Sequence, residues 1–154
     1  MHCLLKEMIK HLTEFSKTYA DCWKILKESM FPQPTETDEL IIDTKDNMVR
    51  YICSLVYKNY DYLIFDHTCL DKSVFTRSFI TEILDYCFTK KDVIRAFVKS
   101  DNVKSLKFMR QIGFSNDGCY RKYFKDGTDF VIFSLFKDEW ENNRLNVRHN
   151  TIHS

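Results

Sequence analysis

Asp66 and His67 stand side by side at the end of the apolar run "YLIFDHT". Either side chain can take a proton from a substrate if its pKa is tuned near neutrality. A few residues on, "DKSVFTRSF" supplies Lys72, Ser73, Thr76 and Arg77, two cations and two hydroxyls able to hold a phosphate through side chains. Lys72 and Arg77 read equally as ordinary solvated charges. Further along, "SDNVKSLKFMRQIGF" places Asn102 three residues ahead of Ser105 at the start of a helical pattern. There an amide and a hydroxyl either satisfy orphan N–H groups of the first turn or reach out to a ligand. Tyr120 and Tyr123 are proton donors by chemistry and packing residues by their strand-like context.

The elements that must position these groups follow from periodicity. Residues 1–31 read as helix, with Leu4, Leu5, Met8, Ile9, Leu12 and Phe15 at helical spacing and Tyr19, Trp23, Leu26 and Met30 as a second set. A break is expected at Ser16–Thr18. The Trp23 ring is expected to insert against a sheet. "FPQPTETD" (31–38) is a loop, because Pro32 and Pro34 forbid helix. Three strands follow at 39–43, 48–57 and 60–70, the last two joined by a hairpin-like interval at Lys58-Asn59. A helix over 73–88 puts Phe75, Phe79, Ile80, Ile83 and Leu84 on one face. "DVIRAFV" (92–98) is a buried strand. The helix over 101–112 turns Val103, Leu106, Met109 and Ile112 to the core and stops at Gly113, where positive φ is needed. "GCYRKYF" and "DFVIFSLF" are strands joined across "KDG", a hairpin signal. The tail 141–154 is polar. The strand–helix–strand over 60–98 is a βαβ unit whose two strands should be parallel neighbours, splayed at their C-terminal ends. Phe79, Ile83, Leu106, Met109, Phe130, Ile132 and Leu135 make up the expected core.

Length and composition bound the rest. The 154 residues make one domain, 1–154, able to bury roughly two-thirds of its unfolded surface. Net charge is +1 with the signs interspersed, so no nucleic-acid partner is expected. No apolar run reaches the roughly 18 residues of a membrane span, and nothing reads as a signal peptide. Six cysteines lack both CxxC spacing and a nearby histidine at metal spacing. Reduced buried thiols, a cytoplasmic location and no metal are therefore expected. Two alanines and three glycines against 13 Phe and 8 Tyr suit a viral or other AT-rich genome.

The order helix, helix, β, β, β, α, β, α, β, β resembles the GNAT (Gcn5-related) N-acetyltransferases. The residues that carry the detailed likeness span about 79–140. They are "DYCF" (85–88), Asn102 and Ser105 before an amphipathic helix, Gly113-Phe114, Gly118 and Arg121 in "DGCYRKY", then Gly127, Asp129, "FVIFSLF" and Glu139-Trp140. They look most like the RimJ/RimL type, which acetylates ribosomal protein amino termini. The resemblance implies an α/β (α+β) fold with a mixed sheet around the βαβ unit, helices on both faces and a C-terminal β-hairpin. It implies acetyl-CoA as cofactor and an amine as acceptor. It would place Asn102 by the cofactor, Ser105 by the thioester sulfur, and Asp66 or His67 as base for the incoming ammonium.

The family binds the CoA pyrophosphate on a glycine-rich turn, and the matching segment here, "HTCLDKSVFTRSF", has no glycine. Lys72 and Val74 fall about where two of the glycines belong, leaving Lys72, Ser73, Thr76 and Arg77 as the phosphate-binding candidates. Two readings stay open: an acetyltransferase with weakened or lost catalysis, or a non-catalytic protein on the same fold. Short-tailed phages carry a small virion protein that resembles degenerate GNAT domains. On that reading the partners are virion or host proteins, and the protein works in the host cytoplasm or the virion. A small viral regulator of a host protein is a related option.

Overall fold

The N-terminal apolar run folds as two short helices, α1 (His2–Met8) and α2 (Leu12–Thr18). One break falls at Ile9–His11, which was not expected; the expected one comes at the end of Ser16–Thr18, where α2 stops at Thr18 and a 3-10 turn, Ala20–Cys22, follows Tyr19. Ile9 and Lys10 leave the helix to form a two-residue strand, β1, which pairs antiparallel with residues Leu40 and Ile41. A β-branched residue gives up little helical preference in that exchange, and the ladder supplies its backbone partners. The computed structural model describes residues 2–22, 24, 28 and 31–143. Trp23, Leu26, Met30, the side chain of Leu4 and the tail beyond 143 lie outside the described residues. By its contacts the chain divides into two units, 1–91 and 92–154.

In the first unit β1 is followed by β2 (Glu39–Lys45), β3 (Met48–Val56) and β4 (Leu63–Cys69). All pairings are antiparallel, in the order β1-β2-β3-β4. Asp46 and Asn47 both take positive φ (54° and 63°), which makes a two-residue hairpin turn between β2 and β3. The β3–β4 connection is longer than the expected Lys58-Asn59 turn and runs over 57–62. Every residue of 51–56 is buried, as in a sheet covered on both sides. Ile52 packs with Phe15 of α2, while its neighbour Tyr51 meets Phe79, ring centroids 5.2 Å apart. Successive strand residues face opposite ways, so helices lie on both faces here. Phe79 belongs to α3 (Arg77–Phe88), whose Thr76 cap accepts from the Phe79 N–H at 3.1 Å. The helix starts four residues later than expected, because Lys72–Val74 form a 3-10 turn. Phe75 therefore sits half-buried ahead of the helix, and Phe79, Ile80, Ile83, Leu84, Cys87 and Phe88 carry its buried face.

The second unit holds β5 (Val93–Lys99), α4 (Val103–Gln111), β6 (Ser115–Tyr120) and β7 (Phe130–Phe136), with residues 137–143 helical. β7 pairs antiparallel with both β5 and β6, and the expected C-terminal hairpin is present. Gly113 ends α4 at φ +102°, and a Cβ there would collide with the Asn143 side chain. Two expectations need correcting. Of the four apolar residues assigned to the core face of α4, only Met109 is buried; Leu106 and Ile112 are half-buried and Val103 is 70% exposed. Val103 is the first helical residue, where the stripe has not yet turned inward. Ile132, also expected in the core, is half-buried, while Phe130, Phe133 and Leu135 are buried. The β6 strand ends at Tyr120, so Arg121–Phe124 are not strand and the connection runs over 121–129 rather than turning tightly at 125–127. Lys122 adopts φ +51°, which an extended strand cannot contain.

Candidate functional site

The candidates fall in two places, one in each unit. In the first, β4 alternates and sends Asp66 and His67 to opposite faces. Asp66 is half-buried. One of its oxygens accepts from the Phe31 N–H at 2.9 Å, the other from the His67 N–H at 2.8 Å. Burial pushes its carboxyl up to about 7, against the downward pull of both N–H donors. His67 lies among the rings of Phe65, Phe75 and Tyr51, at centroid distances of 5.2, 5.4 and 5.5 Å. Burial lowers its imidazole to about 4, so the ring is neutral at pH 7. The Tyr51 hydroxyl stands 3.0 Å from His67 Nδ1. Burial holds the Tyr51 phenol well above its usual range, so the phenol and the imidazole meet as a neutral hydrogen-bonded pair. Of the two base candidates, Asp66 can therefore take a proton near neutrality and His67 is a weak base.

The turn that follows is closed on itself. Asp71 Oδ1 accepts from the Ser73 N–H at 3.0 Å and the Ser73 hydroxyl at 2.7 Å. These donors hold the Asp71 carboxyl below the usual range. The N–H of Val74 bonds to the Asp71 carbonyl (3.3 Å), that of Phe75 to Lys72 (3.0 Å) and that of Thr76 to Val74 (3.0 Å). The Thr76 hydroxyl oxygen is spent on the Phe79 N–H. Lys72 and Arg77 are exposed and make no ion pair among the described residues.

In the second unit Asn102 caps α4. Its Oδ1 accepts from the Ser105 N–H at 3.2 Å, and its own N–H donates to the Lys99 carbonyl at 2.9 Å. The capping reading of the pair thus accounts for the Asn102 carbonyl. The Ser105 hydroxyl is half-buried and uncommitted among the described residues.

Three groups escaped the sequence. Asp71 had a signal, the Asp-x-Ser spacing of a side-chain-stabilised turn. Tyr51, the partner of His67, had none. Nor did Glu39, which is buried and accepts from the Tyr57 hydroxyl (2.5 Å) and the Tyr86 hydroxyl (2.6 Å), with Lys90 at 3.7 Å. Burial and the Glu39 contact raise both phenols. Among the described residues no group of three or more metal-ligating side chains occurs, and no helix is long and apolar enough to cross a membrane.

This α/β architecture is that of the GNAT N-acetyltransferases, the fold shared by the solved structures it matches. One is the spermidine/spermine N-acetyltransferase SpeG of Vibrio cholerae, in mutant form. It superposes at a TM-score of 0.66 with 15% identity, over 87% of this chain and 96% of that one. A ribosomal-protein-alanine N-acetyltransferase of Brucella melitensis gives 0.61 with 14% identity, over 83% and 98%. A "probable" GNAT-family acetyltransferase of Chromobacterium violaceum gives 0.56 with 17% identity, over 68% and 61%. No protein-family model and no curated protein matches the chain. At such identities the likeness speaks for the fold.

Proposed function

We propose that the protein is an acyltransferase-like relative of the amine N-acetyltransferases that keeps their fold and holds acetyl-CoA weakly, so that acetyl transfer is weakened or lost. The observation that carries this reading is the closed turn 71–76. A pyrophosphate needs several N–H donors within about 3 Å. Here the N–H groups of Ser73, Val74, Phe75 and Thr76 all serve acceptors within the turn, so the residues do not fit the cofactor's phosphates. Two or three lost charge-assisted bonds at roughly 1.5–3 kcal/mol each amount to about a hundredfold or more in affinity. Lys72 and Arg77 can offset part of that as side-chain cations. The expected result of titration calorimetry is a dissociation constant for acetyl-CoA above about 100 µM; tight binding at a few micromolar would overturn the reading. Such a protein acts by interaction, and the AT-rich composition is in keeping with a viral protein directed at virion or host partners.

One observation favours a second reading, an active N-acetyltransferase: Asp66 has a carboxyl near 7, suited to deprotonating an ammonium. That reading expects transfer to a peptide amine or polyamine, abolished by Asp66→Asn and by the double variant Asn102→Ala, Ser105→Ala. Its rate should rise through about pH 7. No transfer at saturating acetyl-CoA excludes it.

A further inference from the structure

The β6–β7 loop spends its negative charge internally. Asp126 Oδ1 accepts from the Thr128 N–H (3.0 Å) and hydroxyl (2.6 Å), and Asp126 Oδ2 meets Lys99 Nζ at 2.7 Å. The Lys99 bond holds the Asp126 carboxyl far below its usual range. Asp129 Oδ1 accepts from the Lys122 N–H at 2.8 Å, while the Asp129 backbone exchanges two 2.9 Å bonds with Ser100. These ties hold Lys122 in its left-handed conformation, a strain that persists only where surrounding contacts over-determine it. What remains for solvent is the run "YRKYFK", 120–125. Tyr120 is 53% and Tyr123 51% exposed, with ring centroids 6.1 Å apart. Phe124 and Phe130 back the Tyr123 ring, each at 5.1 Å. Arg121, Lys122 and Lys125 are exposed and form no ion pair among the described residues.

We propose that this loop is a docking surface for single-stranded nucleic acid. Each nucleotide brings both complements at once, a phosphate for a cation and a π-face for a tyrosine. An acidic peptide would satisfy the three cations and leave the two aromatic faces without a matching partner. The loop is a local exception to the whole-chain charge balance, from which no nucleic-acid partner is expected. With a net charge of only +1, the whole chain adds little long-range attraction, and binding rests on the loop's own contacts. The inference is independent of the acetyl-CoA reading.

The test is fluorescence anisotropy of labelled oligo(U) and oligo(dT), about 12 nucleotides long, titrated with the full chain. Three phosphate contacts at about 0.7 per contact give a salt slope near −2, so affinity should fall roughly 16-fold between about 50 and 200 mM salt. Tyr120→Ala should weaken binding by about 5-fold or more at unchanged slope. Arg121→Gln with Lys125→Gln should flatten the slope to about −0.7. This charge variant touches no packing, so it serves even if Tyr123→Ala, which loses its Phe130 contact, fails to fold. No binding at low salt, or binding indifferent to both variants, overturns the proposal. So does poly-glutamate competing as well as the oligonucleotide, which would assign the loop to an acidic protein.

Discussion

The two units handle charge in opposite ways. The first buries three carboxylates, Asp38, Glu39 and Asp43, and satisfies each: Asp38 by the N–H groups of Thr35 and Tyr57, Glu39 by two phenols, Asp43 by Arg50 at 2.7 Å. The second buries no carboxylate among its described residues; Ser134 is its buried polar side chain, and its acids work at the surface. Interior polar networks make a fold costly to alter, since a removed partner strands the others without water. Surface networks shape a loop and leave it tolerant. The first unit thus invests its polar chemistry in architecture, the second in what it presents outside.

The sharpest way to break this contrast is Glu39→Ala. It would leave the Tyr57 and Tyr86 hydroxyls and Lys90 without their acceptor, and should cost about 3–5 kcal/mol in urea unfolding. Asp126→Ala in the second unit should shift the midpoint far less, and its own effect should shrink further in high salt. Equal losses would end the comparison. Next comes the apolar side: Ile83→Ala, fully buried on α3, should cost about 2–5 kcal/mol. Leu106→Ala, half-buried on α4, should cost about 1–2 kcal/mol, because less area returns to water.

The last test concerns pH. Asp66 has a folded pKa raised from 3.8 to about 7, so the folded state holds the extra proton in that window and stability falls as pH rises through it. His67 has a folded pKa lowered from 6.5 to about 4, so the unfolded state holds the extra proton and stability rises with pH between those values. The two slopes oppose each other. Relative to the parent, Asp66→Asn should make stability climb more steeply between about pH 4 and 6.5, and His67→Gln should make it decline. Parallel profiles for all three proteins would show that neither group is perturbed.

Strands, the α3 face and the stop at Gly113 were legible because period-2 and period-3.6 patterns and a positive-φ glycine are local signals. The resemblance to GNAT enzymes gave the fold for the same reason, through short motifs read in order. What escaped depends on distance along the chain. Glu39 meets Tyr86 across 47 positions, and Asp66 owes one hydrogen bond to Phe31, 35 positions away. No spacing rule reaches that far. Val103 and Ile132 were misplaced because a polarity pattern fixes a face but not how deep the face lies. The closed turn was half-legible: the missing glycines were visible, whereas the capture of its donors by Asp71 required coordinates.

One small feature carries a consequence for behaviour in concentrated solution. The two residues of β1 lie along the outer side of β2, beside Leu40 and Ile41, and occupy hydrogen-bonding groups that would otherwise be open to a neighbouring molecule. An uncovered strand rich in Leu and Ile is a template on which a second chain can add, then a third. In that sense Ile9 and Lys10 are a guard against self-templating growth. Their loss would first be felt as turbidity on storage, before any change in the folded protein's own chemistry.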